Sequence, residues 1–199
     1  MNARLILRLL VCPFACLLVC VEASCAVPAG AGTAQAANLT VSVERAGTDA
    51  GRVYQVSASG EVAAAPAAVW RILTDYDRMA EFVPDLHSTR VVARNGDQAI
   101  VEQHGVAHFL FFRREIRLLV QVREQPMSRI DVKLVDGDMA VYDCVWRLVP
   151  VLDTGGTRIV YSAVLAPKFY VPAMLGANLI RADIAKMMAA VLARLDRPG

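Results

Sequence analysis

The chain has 199 residues, a formal net charge of +2 and 56% hydrophobic residues. Its length suits one domain with a substantial core. The near-neutral balance leaves no basic excess to neutralise phosphates, so nucleic acid is not an expected partner. Four of the five cysteines (Cys12, Cys16, Cys20 and Cys25) crowd the N-terminus, and Cys144 alone remains for the main body, which can then form no internal disulfide.

Arg4 and Arg8 precede an apolar run, Leu9 to Val21, of 13 residues, shorter than the ~20 that span a bilayer. Small-residue sites follow at Ser24-Cys25-Ala26 and Ala34-Gln35-Ala36. Residues 1–36 therefore read as a signal peptide and leader, cleaved to leave a secreted or periplasmic protein. The alternatives are an uncleaved anchor, or lipidation at Cys20 or Cys25, for which Val19 and Glu22 make poor flanks. Residues 37–52 carry no periodicity and read as a flexible leader, so the domain is expected over residues 53–197.

From Val53 the strands begin, and Ser57 to Ala63 is small and β-compatible. Pro66 suits the first turn of a helix, where its missing N–H costs nothing. Val69, Trp70 and Leu73 then recur at helical spacing. Asp75 is placed to cap a second short helix with its carboxylate, and Pro84 to stop it. Breaks at Asn95-Gly96-Asp97, Gln125-Pro126, Asp136-Gly137-Asp138 and Asp153-Thr154-Gly155-Gly156 divide residues 86–166 into about six strands, an antiparallel meander.

These strands alternate. Ile116, Leu118, Val120 and Val122 share one face; so do Ile130, Val132 and Leu134. Tyr142, Cys144, Trp146 and Leu148 do the same, as do Ile159, Tyr161, Ala163 and Leu165. One face of the sheet is consistently apolar and partly aromatic, and a lone cysteine there reads as a small core residue. Pro172 to Arg197 is the one long helical segment expected beyond residue 36. Leu175, Leu179, Ile180, Ile184, Met187, Met188, Val191 and Leu195 form its apolar stripe, with Arg181, Asp183, Lys186 and Arg194 opposite.

The strand running into Ala65-Pro66, together with Val69-Trp70, Leu73-Thr74-Asp75-Tyr76 and Phe82-Val83-Pro84, resembles the START-like polyketide cyclase/dehydrase superfamily. Gly137-Asp138-Met139, Trp146-Arg147-Leu148, Gly156-Thr157 and Pro167 to Pro172 extend the likeness over roughly residues 53–196, and it is nearest to the coenzyme Q-binding branch. The resemblance implies an α+β helix-grip fold. A curved antiparallel sheet of six to seven strands would wrap a long C-terminal helix, with two short helices after the first strand. It also implies a ligand cavity between sheet and helix. The coenzyme Q branch usually works inside mitochondria or the cytoplasm, and a signal peptide departs from that.

Motifs for other chemistry are missing. His104 and His108 fall in a strand, where four residues span ~13 Å, too far for two ligands of one metal ion. No GxSxG elbow or phosphate-cradling glycine loop is present, which argues against a hydrolase or a nucleotide-dependent enzyme, and no cofactor is expected. Arg114 has two readings. Counting by twos from Ile116 puts it on the apolar face, where a guanidinium would need a partner or a ligand oxygen. A bulge near Phe111-Phe112 would instead release both Arg113 and Arg114 to solvent.

The expected cavity wall is Phe82, Phe111, Arg114, Leu118, Tyr142, Trp146 and Tyr161, covered by Leu175, Leu179 and Met187 of the helix. The same aromatics would equally make a solid core. The reading that follows is an exported binding or transport protein for a hydrophobic small molecule or lipid: a quinone, sterol, fatty acid or polyketide-like compound. Transient membrane contact would accompany such a role, and the sequence carries no signature of an oligomeric state. The alternatives are a polyketide cyclase/dehydrase-like enzyme using the same cavity, and a module that docks a protein.

Overall fold

The computed structural model describes residues 39–47, 52–109, 112–171 and 174–197. The expected signal peptide, Phe111 and Pro172 lie outside the described residues. Pro66 opens helix α1 (Pro66–Leu73) as the sequence predicts, directly after Ala65 at its N-cap. Before it run strands β1 (Thr40–Ala46) and β2 (Val53–Val62). After it come a 3₁₀ turn (Tyr76–Glu81) and the six-strand meander: β3 (Leu86–Asn95), β4 (Gln98–Phe109), β5 (Phe112–Gln125), β6 (Arg129–Gly137), β7 (Met139–Val151) and β8 (Gly156–Pro167). Helix α2 (Gly176–Leu195) follows. Among the described residues no helix is long and apolar enough to cross a membrane.

The strands form one antiparallel sheet in the order β1-β2-β8-β7-β6-β5-β4-β3. Its sharp connections fall on the residues read as breaks. Gly96 takes a φ of +56° between β3 and β4, and Gly155 a φ of +69° between β7 and β8, values that L side chains rarely adopt. Gly137 has a φ of +134° and leaves no room for a Cβ against the Arg117 carbonyl.

The sheet has eight strands, against six to seven expected, because part of the segment read as a flexible leader is β1. Thr40 pairs with Ser59 and Ala46 with Val53, and Val43 is buried in the core. The missed signal is the alternation of Val41 and Val43 with Ser42 and Glu44, too short to stand out from its polar surroundings. A second difference concerns Asp75. It precedes the 3₁₀ turn but makes no capping hydrogen bond; its carboxylate lies 3.7 Å from Arg78 instead. The turn is held from β3. Thr89 Oγ1 donates to the Tyr76 carbonyl at 2.5 Å, and Val91 N–H donates to Asp77 Oδ1 at 2.8 Å.

The predicted inner face is the core face: Val120, Val122, Ile130, Cys144, Ile159 and Tyr161 are all buried. Helix α2 buries Ile184, Met188, Val191 and Leu195 of the predicted stripe, together with Leu192. It lies on β1 and β2 and also meets α1. The helix therefore grips one end of the sheet, and the concave face of β4 to β7 looks into the space beside it.

Candidate ligand cavity

That space is a cavity of about 140 Å³, close to the ~150 Å³ that holds one benzene ring in an engineered protein core. Its floor comes from alternate residues of five adjoining strands, among them Val101 and Gln103 on β4, Val122 on β5 and Ile130 on β6. Tyr142, Cys144 and Trp146 of β7 and Tyr161 of β8 continue it. Leu73, Tyr76 and Met79 close one side, Val83 and Leu86 a second, and Met187 and Val191 of α2 a third. Period-two alternation on the strands meets helical spacing on α2, so residues distant in sequence converge on one void.

The polar groups inside are few and uncharged. Tyr161 Oη donates to Cys144 Sγ at 3.3 Å, and the Tyr161 and Trp146 rings sit 4.7 Å apart at 56°. Burial pushes the Cys144 thiol up to about 12 and raises the Tyr161 hydroxyl as well, because a low-dielectric site disfavours the charged form. Both keep their protons at neutral pH. Tyr76 sends its hydroxyl out of the cavity to Glu124 Oε1 at 2.9 Å, where Arg94 holds the same oxygen at 3.0 Å. Burial, then the neighbouring Glu124, raises the Tyr76 pKa. The Gln103 carboxamide faces the cavity without a hydrogen-bond partner among the described residues. Among the described residues no Asp, Glu, Lys, Arg or His stands in the lining.

One charged cluster ties the rim together. Asp85, in the left-handed region with φ +64°, lies between lining residues Val83 and Leu86. Its Oδ1 is 3.0 Å from His108 Nε2 on β4, and its Oδ2 is 3.8 Å from Lys186 Nζ on α2. Lys186 also meets Asp183 at 3.8 Å, and partial burial raises the Asp183 pKa. These contacts join three separate walls of the cavity next to Met187.

Of the residues expected to line the cavity, Tyr142, Trp146, Tyr161 and Met187 do so. Leu118 is buried in the core without reaching it. Phe82 turns instead to a shallow recess beside Ile72 and Arg194. Leu175, at the N-cap of α2, and Leu179 are half-buried and outside its lining. Arg114 is also outside. Its Cζ stands 4.6 Å over the Phe169 ring, 3.9 Å separates it from Asp138, and its side chain is exposed. No bulge frees it, since the β4–β5 register runs unbroken from Gln98↔Arg123 to Phe109↔Phe112. The β5–β6 shift falls later, at Leu119/Val120. Arg114 escapes burial because its end of the hairpin extends past the cavity.

His104 and His108 lie in β4 as read and engage separate carboxylates, Glu102 at 3.5 Å and Asp85 at 3.0 Å. Among the described residues no group of three or more metal-ligating side chains forms. The lining residues the sequence reading missed are chiefly Tyr76, Met79, Leu86 and Gln103. Gln103 had a signal, since it shares parity with Val101 two positions before it.

A family model described as polyketide cyclase / dehydrase and lipid transport matches residues 62–192. Among solved structures, a START superfamily protein from Mycobacterium smegmatis is 18% identical, with a TM-score of 0.63 over 71% of this chain and 97% of that one. The Zhui aromatase/cyclase from Streptomyces is 16% identical, with a TM-score of 0.61 over 73% and 94%. A STAR-related lipid transfer protein from Xanthomonas axonopodis is 15% identical, with a TM-score of 0.60 over 78% and 99%. At such identities the likeness establishes the fold. A search of curated protein sequences found no match. With the matched segment spanning the cavity-forming elements from the end of β2 into α2, the chain belongs to the polyketide cyclase/dehydrase and lipid transport family and folds as a START-like helix-grip domain.

Proposed function

We propose that this protein is an exported carrier of a hydrophobic small molecule or lipid, held between the sheet and α2. The observation that carries the reading is the apolar cavity, lined by Tyr142, Trp146, Tyr161 and Met187 and free of charged lining groups among the described residues. Apolar area removed from water is worth ~25 cal/mol per Å², enough to carry a water-insoluble compound without elaborate polar contacts. Arg4, Arg8 and the apolar run after them support export. At the β8–α2 connection Tyr170 is 75% and Met174 90% exposed, beside Lys168. These residues support transient contact with a membrane that supplies or receives the ligand.

Trp146 supplies the test. In a Trp70→Phe background its fluorescence reports the cavity alone, and quinones, sterols and fatty acids should be compared at saturation. A shift with at least one class is expected. An unchanged spectrum with all of them would sink the carrier reading. An aromatase/cyclase-like enzyme is the second reading, supported by the Tyr161–Cys144 pair inside the cavity. That chemistry needs groups that exchange protons near neutral pH, and these hold theirs tightly, which favours carriage.

A further inference from the structure

Resting on the carrier reading, we infer that the cavity selects uncharged, ring-sized ligands bearing a carbonyl or similar hydrogen-bond acceptor, that it rejects carboxylates, and that Gln103 is the selecting residue. Three observations converge on this. The volume, about 140 Å³, is that of a single six-membered ring with little to spare. The lining contains no cation among the described residues, so a carboxylate entering it would lose its hydration with nothing to replace it, a penalty far larger than any apolar gain. The cations that approach are already matched outside the void: Arg94 to Glu124 at 3.0 Å, and Lys186 to Asp85 and Asp183 at 3.8 Å each.

The interior polar groups differ in availability. The Tyr76 hydroxyl is committed to Glu124, and the Tyr161 and Tyr142 hydroxyls to Cys144. Gln103 keeps two N–H donors and one acceptor unpaired among the described residues, on the floor beside Val101, between Thr89 of β3 and Leu118 of β5. Its amide is neutral, so a carbonyl or hydroxyl matches it without a charge being buried. A fatty acid anion satisfies neither the size nor the charge of the site.

Calorimetric titration of the purified protein at pH 7 with acetophenone, benzoate and ethylbenzene separates these terms, because the three probes share one ring and nearly one size. Acetophenone is expected to bind at least ~100-fold more tightly than benzoate, the cost of an unpaired buried charge. Gln103→Leu should weaken acetophenone ~5–10-fold, the worth of one hydrogen bond, and leave ethylbenzene unchanged or tighter. Benzoate binding as tightly as acetophenone would overturn the inference on the unmutated protein. Equal losses for acetophenone and ethylbenzene in Gln103→Leu would overturn the role given to Gln103. Ethylbenzene binding with no preference for acetophenone would defeat the selectivity and leave the carrier reading standing. Failure of all three probes, together with a silent Trp146, would defeat both.

Discussion

A Cβ placed on Gly60 of β2 would stand 2.6 Å from Leu192 Cδ1 of α2. The hydrogen at position 60 is what lets the helix settle onto the sheet, and the contact partner is the flexible end of a leucine rather than backbone. Gly60→Ala should therefore cost about 1 kcal/mol net, overpacking strain outweighing the entropic benefit of alanine in a strand. Leu192→Ala alone should cost about 2–5 kcal/mol. In the Leu192→Ala background Gly60→Ala should turn neutral or stabilising, because the leucine it collides with has gone. A double-mutant cycle of urea midpoints checks this, and simple additivity would disprove the close fit.

Ile184 is 8% exposed on the buried face of α2, and Ile184→Asp should cost about 3–5 kcal/mol by burying an unpaired carboxylate. Lys186, on the polar face, makes a poor control, since it bridges Asp85 and Asp183. Ala189, exposed on the same helix, is the better one, and Ala189→Asp should cost about 1 kcal/mol or less. Matching midpoints for the two variants would mean that α2 does not rest on the sheet.

Cys144 should resist iodoacetamide in the native protein and react promptly in denaturant, since the thiolate is the nucleophile and burial suppresses it. The same shift has a pH consequence. The folded thiol titrates at about 12 against an ordinary value of 9.0, so its contribution to stability is complete below pH 9 and is lost as pH rises towards 12. The stability of the native protein relative to Cys144→Ala should be constant up to about pH 9 and then fall by at most ~1.4 kcal/mol per pH unit. Tyr161 shifts the same way and remains in both proteins. A relative stability that grows above pH 9 would contradict the assigned burial.

Asp85→Asn keeps a residue that tolerates a φ of +64° and removes the charge that links His108 to Lys186. Half-exposed pairs of this kind contribute little, so the stability cost should stay within about 1 kcal/mol. The visible effect should be kinetic. Stopped-flow titration with a fluorescent apolar ligand should show faster entry and faster release, with the ratio nearly unchanged, because the rim opens without altering the contacts inside. Rates equal to those of the native protein would show that the cluster does not gate the cavity.

The sequence by itself determined the fold class, the turns and the inner face. Period-two alternation in β5 to β8, the proline at the start of α1 and the stripe of α2 are local signals that tertiary packing reinforced. It also placed Tyr142, Trp146 and Tyr161 on one surface, because parity within a strand fixes which side a residue faces. Where along that surface the cavity begins and ends was decided only by the assembled structure. Leu118 and Tyr142 both face inward, yet Leu118 lies in solid core and Tyr142 on the void. Arg114 has the right parity and still reaches solvent, since strand length beyond the cavity is a matter of three dimensions. β1 was hidden for the same reason: seven residues with one buried valine become a strand only when β2 and α2 offer them an edge and a cover. Gln103 was half legible: parity with Val101 turns it inward, but its role depends on walls that carry no charge among the described residues, which only the assembled structure displays.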